Sequence, residues 1–293
     1  MTPLDAQWLA DHPLPDIDHD TDKNKRGRLL VAGGSQLVPG ALLLSGEAGY
    51  RAGAGKVQLA LPASAASGVG IAMPEAAVIA LEVNDKGELG PSAGKVGDLI
   101  GRCDALVLGP GMGGGSDAHA LLETVLDHKE SGVALLLDAA AIGAAPDFAD
   151  ALCRWSGPLV LTPHPGEMAG LMTCEADDVC DEMAMQAADR FQATVLLKGP
   201  RTMIASSDGT VLQFHGGGPG LATGGSGDVL AGIIGGLLAR GADAQLAAAW
   251  GVWAHGESGR MLARSVGPIG FLARELLPAI PGLLYPRGPT AER

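Results

Sequence analysis

The residues best suited to chemistry lie in Gly216–Gly236, which reads GGGPGLATGGSGDVLAGIIGG and holds ten glycines in 21 residues. Its single acidic residue, Asp228, stands where the glycine-rich loop passes into an apolar run with helical spacing. Such a loop can place several backbone N–H groups against an anion, and the helix N-terminus adds partial positive charge. In this context Asp228 is better suited to accept a proton during phosphate chemistry than merely to stabilise the helix dipole.

Two polar turns follow other apolar runs. In Thr162–Glu167, His164 could hydrogen-bond a ligand and Glu167 could order a magnesium-bound water, or Glu167 could simply begin a helix. In Lys198–Thr202, cationic and hydroxyl groups over a backbone turn suit nucleotide phosphates, or form a solvated basic turn. Because the chain also has the glycine-rich segment, we favour the binding interpretation for both turns.

The run Gly109–Gly114 formally matches the GxGxxG pattern after a strand. Pro110 is unusual for a dinucleotide-binding turn, and Asp138 is too far along the chain for the expected acidic partner. We interpret the run as a loop of close backbone approach and reject a simple dehydrogenase. The chain has no GxxxxGK[ST] sequence, which excludes a P-loop NTPase. The other histidines, His255 among them, show no metal-ligand spacing, and we expect core or surface roles for them.

The elements that must position these residues alternate between short apolar strands and helices, which predicts parallel βαβ units covered on both faces. We expect a single α/β domain over residues 23–293, after an N-terminal extension, residues 1–22, with a short helix and a linker. The predicted strands are 28–32, 56–61, 105–108, 133–137, 158–161 and 194–197, followed by a hairpin of 203–205 and 211–214. The predicted helices are 41–52, 117–129, 228–238 and 243–264. His164, Lys198 and Gly109–Gly114 all follow strand ends, where open α/β sheets bind ligands, so one site could collect them.

Composition narrows the class of partner. A net charge of −13 argues against binding to nucleic acid or to anionic membranes, but not against nucleotides held by local amides, lysine or a metal. The four cysteines form no CxxC pair, and we expect free thiols in a reducing compartment. We find no signal peptide and no apolar stretch long enough to span a bilayer. These observations predict a cytoplasmic protein.

Taken together, the motifs resemble the ADP/ATP-dependent NAD(P)H-hydrate dehydratases, a branch of the ribokinase-like superfamily. The matching segments run in family order from about residue 26 to 281 and include LVLGPGMG, LTPHPGEMAGL, VLLKGPRTMIA and GPGLATGGSGDVLAGIIGGLLARG. The resemblance implies a ribokinase-like three-layer fold and a stand-alone dehydratase without an epimerase domain. It further implies that the enzyme uses ADP, or ATP, to turn the C6 hydroxyl of (S)-NAD(P)H hydrate into a leaving group and restore NAD(P)H, releasing AMP and phosphate from ADP.

The resemblance also implies roles for individual residues. Asp228 is the matching base. The hydrate-binding positions are Ala41, Gly111, Gly113, His164 and Asp228. The nucleotide-binding positions are Lys198, Gly199, Pro200, Arg201, Thr202 and Gly227, and the anion hole is formed by Gly224, Gly225, Ser226 and Gly227. Mg²⁺ is expected as counter-ion to the phosphates, with Glu167 as a water-mediated contact, and the family habit suggests a homo-oligomer.

Some family positions differ here. The usual Asp-Ala-Asp-Ala-Leu-Asn is Asp-Ala-Ala-Ala-Ile-Gly, so Ala140 and Gly143 replace two polar residues. Gly218 replaces an asparagine, and Arg260 replaces the aspartate of a His-Gly-x-Ala-Gly-Asp pattern. Two alternatives therefore stay open, a ribokinase-like kinase of a small alcohol or vitamin precursor and a non-catalytic nucleotide-binding relic. The sequence does not separate ADP from ATP or NADH hydrate from NADPH hydrate.

Overall fold

The computed structural model describes residues 1–16, 20–90 and 93–285. Within them the chain forms one ten-stranded sheet. In chain order the strands are β1 (Thr2–Pro3), β2 (Arg28–Ala32), β3 (Lys56–Pro62), β4 (Ala77–Leu81), β5 (Ala105–Leu108), β6 (Ala134–Leu137), β7 (Leu159–Leu161), β8 (Thr194–Leu197), β9 (Arg201–Ala205) and β10 (Val211–His215).

The helices that connect these strands are mostly rich in alanine, leucine and glycine. They are α1 (Ala6–Asp11), α2 (Ala41–Arg51), α3 (Ala63–Ala72), α4 (Ala93–Ile100), α5 (Ser116–Leu126), α6 (Ala140–Ala144), α7 (Ala149–Leu152), α8 (Pro165–Met172), α9 (Glu182–Phe191), α10 (Ser226–Ala239), α11 (Ala244–Ser265) and α12 (Ile280–Leu284). Short 3₁₀ turns occupy Ala145–Phe148, Ala176–Asp178, Pro219–Leu221 and Ala273–Ala279. No helix in the described ranges combines the length and the apolar character that a bilayer crossing requires.

The sheet is parallel except for β9, and its strand order is β1-β10-β9-β8-β7-β6-β5-β2-β3-β4. The predicted parallel core and the antiparallel β9–β10 hairpin are both present. The α/β class with helices on both faces is confirmed. Because consecutive parallel strands end at one edge, the loops after β6, β7 and β8 lie side by side there.

The core has two halves, one on each face of the sheet. Along β2, Leu29 and Val31 belong to the half covered by α2, α10 and α11, while Leu30 and Ala32 belong to the half covered by α4, α5 and α9. All four are fully buried. This alternation follows from the two-residue period of a strand, and apolar residues on both sides show that the sheet is the middle of three layers.

Helices α2 and α10 pack backbone to backbone on one face. A Cβ on Gly232 would lie 2.2 Å from the Ser45 carbonyl oxygen, and one on Gly236 would lie 2.6 Å from the Gly49 carbonyl oxygen. Glycine is therefore required at both positions. The close contact fixes the start of α10, which carries Asp228, against the start of α2, which carries Ala41.

The N-terminal residues pack onto the domain. Strand β1 pairs with β10 at the sheet edge, Leu4 and Leu9 are buried, and the Trp250 indole N–H donates to the His12 carbonyl oxygen at 2.9 Å. The predicted short helix corresponds to α1. The boundary predicted after residue 22 stays a prediction, and residues 17–19 of that extension lie outside the described residues.

Candidate active site

Three polar side chains meet where neighbouring strands end. Asp138 follows β6, Thr162 follows β7 and Lys198 follows β8. The Asp138 Oδ1 accepts hydrogen bonds from Thr162 Oγ1 at 2.7 Å and from Lys198 Nζ at 2.9 Å. Asp138 and Thr162 are both buried. The buried carboxylate is thus paired through Oδ1 with both groups, and it holds the lysine ammonium at the carboxyl edge of the sheet.

Lys198 lies between two carboxylates. Its Nζ is 2.9 Å from Asp138 Oδ1 and 3.7 Å from Glu167 Oε2. Burial acts to lower the pKa of Lys198, but Asp138 and Glu167 raise it more, so the net shift of the pKa is upward. The ammonium therefore stays charged at neutral pH and can face an anion.

His164 and Glu167 form a capping box at the start of α8. The His164 N–H donates to Glu167 Oε2 at 2.8 Å, and the Glu167 N–H donates to His164 Nδ1 at 3.2 Å. The Glu167 carboxylate therefore caps the helix and pairs with Lys198 at the same time. A magnesium-bound water at this carboxylate would share it with the His164 N–H and the Lys198 ammonium. Within the described ranges no group of three His, Cys, Asp or Glu side chains could hold a metal ion.

The N-terminus of α10 supplies backbone donors beside this lysine. Its N-cap, Gly225, has a φ of 87°, which favours glycine, and has no side chain to cap the helix. The Ser226 N–H donates to Thr223, whereas the N–H groups of Gly227 and Asp228 lie in the first turn and have no acceptor one turn earlier. A Cβ on Gly227 would lie 3.8 Å from Lys198 Nζ, so the ammonium faces this helix start. Together these groups form an anion site.

Asp228 stands in the first turn of α10, and its pKa is raised to about 6. Burial is the largest cause, Asp138 raises the pKa further, and Lys198 lowers it. The main chain is anchored because Ser45 Oγ donates to the Asp228 carbonyl oxygen at 2.9 Å. A carboxylate with this pKa is mostly ionised at neutral pH and accepts a proton more readily than an ordinary aspartate, which is the property of a general base.

A cavity of about 750 Å³ opens beside the anion site. Its lining contains most of the predicted nucleotide-binding residues, namely Lys198, Gly199, Pro200, Thr202 and Gly227. His164, Ser226 and His255 also line it. Apolar residues cover the remaining wall, namely Phe214, Pro219, Leu221, Leu230 and Val252. Arg201 is absent from the lining, and its guanidinium pairs with Asp181 at 3.4 Å. Polar groups at one end and an apolar wall suit a phosphate-bearing ligand with a flat base.

Ala41 and Gly111, two further predicted hydrate-binding residues, lie together at the start of α2, outside that lining. A Cβ on Gly111 would lie 2.7 Å from the Ala41 Cβ, so the two residues are in close contact. This cluster reaches Asp228 through α2, because Ser45 bonds to the Asp228 backbone and Leu44 packs on Gly225. Of the strand-end residues expected in one site, His164 and Lys198 share the cavity, whereas Gly109–Gly114 lies apart from its lining.

Gly113 has a partner that the sequence did not indicate. Its N–H donates to Glu88 Oε2 at 3.0 Å, and a Cβ on Gly113 would lie 2.2 Å from Glu88 Oε1. Glu88 is held in turn by a tight loop in which Asn84 Oδ1 accepts from the Glu88 N–H at 3.1 Å. The amide of Gly113 therefore fixes the loop, and no local pattern in the sequence links positions 88 and 113.

His255 was expected to be structural but lies at the cavity. It stands on α11, and its Nε2 is 3.0 Å from the hydroxyl of Ser226. Sequence spacing gave no sign of this contact, because the two residues belong to different helices 29 positions apart.

Of the four positions that depart from the family pattern, the two glycines have open space around them. A Cβ at Gly143 or Gly218 would meet nothing within 4 Å, and Gly218 has a φ of 75° on the cavity wall. Ala140 begins α6 and is partly exposed. Arg260 contacts Glu257 and the His215 carbonyl oxygen, and its guanidinium lies over the Phe214 ring, 5.3 Å from the ring centroid.

Comparison with known proteins gives a consistent family. The model of a family described as NAD(P)H-hydrate dehydratase matches residues 29–282. The chain is 44% identical to the ADP-dependent (S)-NAD(P)H-hydrate dehydratase of Xanthomonas campestris pv. campestris, over 97% of this chain and 96% of that protein. It is 36% identical to the bifunctional NAD(P)H-hydrate repair enzyme Nnr of Moorella thermoacetica, and the match spans 96% of this chain but only 53% of that longer protein.

A solved structure shares the fold. The ADP/ATP-dependent NAD(P)H-hydrate dehydratase of Bacillus subtilis, co-crystallised with ATP/Mg²⁺, superimposes with a TM-score of 0.82 at 27% identity. The match covers 96% of this chain and 97% of that one. A ribokinase-like superfamily protein of Enterococcus faecalis superimposes with a TM-score of 0.81 at 26% identity, over 95% of this chain and 94% of that one. The three-layer arrangement described above is therefore ribokinase-like.

Proposed function

The chain belongs to the NAD(P)H-hydrate dehydratase family, and we propose that it catalyses the ADP-dependent dehydration of (S)-NAD(P)H hydrate to NAD(P)H, with release of AMP and phosphate. The observation that carries this proposal is the meeting of three groups at the start of α10. These are the Lys198 ammonium, the backbone amides of the first turn and the Asp228 carboxylate with its raised pKa. Such a set can bind a transferring phosphate and deprotonate the hydroxyl that attacks it.

In the proposed reaction the C6 hydroxyl of the hydrate attacks the terminal phosphorus of ADP. The hydroxyl proton passes to Asp228, the bond between phosphorus and the bridging oxygen breaks, and AMP leaves. The phosphate then departs from C6 with its C–O bond electrons, and the neighbouring carbon gives its proton to the departing phosphate, which restores the ring double bond. Lys198 and the amide of Gly227 stabilise negative charge on the phosphate throughout.

The nucleotide would occupy the cavity beside Lys198, with its phosphates towards α10 and its base on the apolar wall. Mg²⁺ would enter with those phosphates and neutralise part of their charge. We propose that Glu167 meets such an ion through water, because its carboxylate lies beside the ammonium that would face the phosphates, 3.7 Å from Lys198 Nζ. The hydrate would lie against Ala41 and Gly111, on the elements that α2 connects to Asp228.

We further propose a homo-oligomer in the cytoplasm. Support for association comes from exposed apolar side chains at and after the end of α11, which are Met261, Val266, Ile269 and Leu272. Support for the compartment comes from the cysteines, all four of which are free. Light scattering after gel filtration tests the first proposal; a monomer at micromolar concentration would contradict it.

Product analysis tests the reaction. The purified protein is incubated with ADP and the S epimer of hydrated NADH, and nucleotides and phosphate are separated by chromatography. We expect equal amounts of NADH, AMP and phosphate, and no stable phosphate ester. A kinase would instead give a lasting phosphorylated alcohol and no NADH. Nucleotide binding without turnover of either epimer would indicate a non-catalytic protein.

A further inference from the structure

His255 is a buried histidine that no step above uses. It is 8% exposed, and that small exposed part faces the cavity beside Ser226. Burial lowers the pKa of His255 to about 4, and the charge of Lys198 lowers it too. The ring is therefore neutral at physiological pH and carries one proton, on either Nδ1 or Nε2.

The contact with Ser226 involves one ring nitrogen. Nε2 lies 3.0 Å from Ser226 Oγ, a distance at which the hydroxyl either accepts from Nε2–H or donates to a bare Nε2. The position of the ring proton therefore decides what the hydroxyl can do.

The tautomer in turn sets the direction of the Ser226 hydroxyl. If Nε2–H donates to Ser226 Oγ, the hydroxyl proton is free to point away from the ring and into the cavity that both residues line. If Nε2 were bare, the hydroxyl would donate to it and present only lone pairs to a ligand. An anion at the start of α10 is stabilised by the first arrangement and repelled by the second.

Resting on the function proposed above, we propose that His255 is a positioning residue that holds Ser226 as a side-chain donor to the transferring phosphate. Ser226 then adds an O–H donor to the backbone amides of Gly227 and Asp228. His255 itself does not touch the reacting atoms and exchanges no proton during turnover, which suits a ring that stays neutral.

A double-variant cycle separates this role from simple packing. We expect Ser226→Ala to lower kcat with ADP by about 10- to 100-fold, the loss typical of one hydrogen bond to a charged group. His255→Leu should lower it by a similar factor, and the combined variant should be no slower than either single variant. His255→Gln, whose amide N–H can reach the same hydroxyl, should recover most of the rate. The proposal would be overturned if the kcat loss of the combined variant equalled the product of the two single losses, or if His255→Gln did not recover the rate.

Nitrogen NMR on the unmodified protein gives a test that needs neither folding of a variant nor turnover. We expect the His255 ring to show a protonated Nε2 and an unprotonated Nδ1 across neutral pH, with and without AMP and phosphate bound. A proton on Nδ1, or a ring charged at neutral pH, would overturn the positioning role. Because this result does not depend on the substrate, it stays informative even if the dehydratase reaction is not found.

Discussion

At the scale of single residues, the site is governed by the buried carboxyl group of Asp138, the half-buried carboxyl group of Asp228 and the ammonium of Lys198. Asp138 and Lys198 bond directly at 2.9 Å, and both act on Asp228 with opposite sign. Asp138 raises the pKa of Asp228 and Lys198 lowers it, while burial contributes the largest upward shift. The pKa of about 6 is thus a balance, and changing either neighbour should move it in a known direction.

Asp138→Asn should shift the acid limb of the kcat/KM profile to lower pH. The variant removes a negative charge that raises the pKa of Asp228 and frees the positive charge of Lys198, which lowers it. The measurement is the rate of NADH recovery against pH, with Asp98→Asn on the exposed side of α4 as the matched control. An acid limb that stays in place or moves to higher pH would contradict this assignment of charges.

Asp228→Asn should stabilise the fold at pH 7.5 while abolishing turnover. A carboxyl whose pKa is raised from 3.8 to about 6 holds its proton more firmly when folded, so stability falls as pH rises through that interval. The asparagine amide does not titrate, so the variant does not lose this stability. Because the site is partly exposed, we expect the free energy of unfolding to rise by about 2 kcal/mol. Urea unfolding of both proteins checks this: the difference should shrink towards pH 4, and a difference that is constant with pH would refute it.

The sequence allowed some of these residues to be predicted and not others. Asp228 and Lys198 stood out because each lies in a glycine-containing turn beside an apolar run. The bond between Asp138 and Lys198 joins positions 60 apart, and the contact between Ser226 and His255 joins two helices. Such pairs depend on which strands and helices become neighbours, and local spacing does not contain that information.

At the scale of elements, the loop that carries Gly113 is fixed by the loop that carries Glu88. The Gly113 N–H donates to Glu88, and the Gln36 N–H donates to the Gly87 carbonyl oxygen at 3.2 Å. The same short segment therefore bonds to the loop that carries Gly113 and to the loop that carries Gln36. Its own turn is stabilised by Asn84.

Gly113→Ala should weaken hydrate binding. The new methyl group would lie 2.2 Å from Glu88 Oε1, so either the carboxylate or the loop must move. We expect a raised KM for the hydrate with an unchanged affinity for AMP, because the nucleotide cavity does not include this loop. Gly114→Ala is the control, since a Cβ there meets nothing within 4 Å. Equal effects of the two variants on KM would show that the Glu88 contact does not matter.

Apolar runs predicted eight of the ten described strands, and the helices α2, α5, α10 and α11, within a few residues at each end. Two strands were missed for physical reasons. Strand β1 has only two residues, and β4 is largely exposed, so neither has the buried apolar run that marks a strand of this sheet. Each lies at an edge of the sheet and pairs with one neighbouring strand only.

At the scale of the whole molecule, the first residues are part of the folded unit. Leu9 of α1 is 3% exposed, whereas Gln7 on the same helix is exposed. Leu9→Ala should therefore lower the free energy of unfolding by about 2–4 kcal/mol, and Gln7→Ala should change it by less than about 0.5 kcal/mol. Chemical denaturation measures both. A negligible effect of Leu9→Ala would mean that this segment does not dock on the domain in solution.

The overall charge and the local charge of the molecule have opposite signs. The chain carries a net charge of −13, yet the start of α10 presents free backbone amides and lies beside the charged Lys198. Because exposed charges are screened over about 10 Å at 0.1 M salt, the local donors dominate at the site. An acidic protein can in this way bind a nucleotide while its surface disfavours polyanions.

The most direct test of the proposed reaction is recovery of NADH from the S epimer of its hydrate, followed by absorbance with ADP and then ATP. We expect nucleotide-dependent recovery by the unmodified protein, and loss of that recovery in Asp228→Asn although AMP still binds. Failure of the unmodified protein with both nucleotides would contradict the proposed reaction. Full recovery by Asp228→Asn would contradict the role of Asp228 as the base.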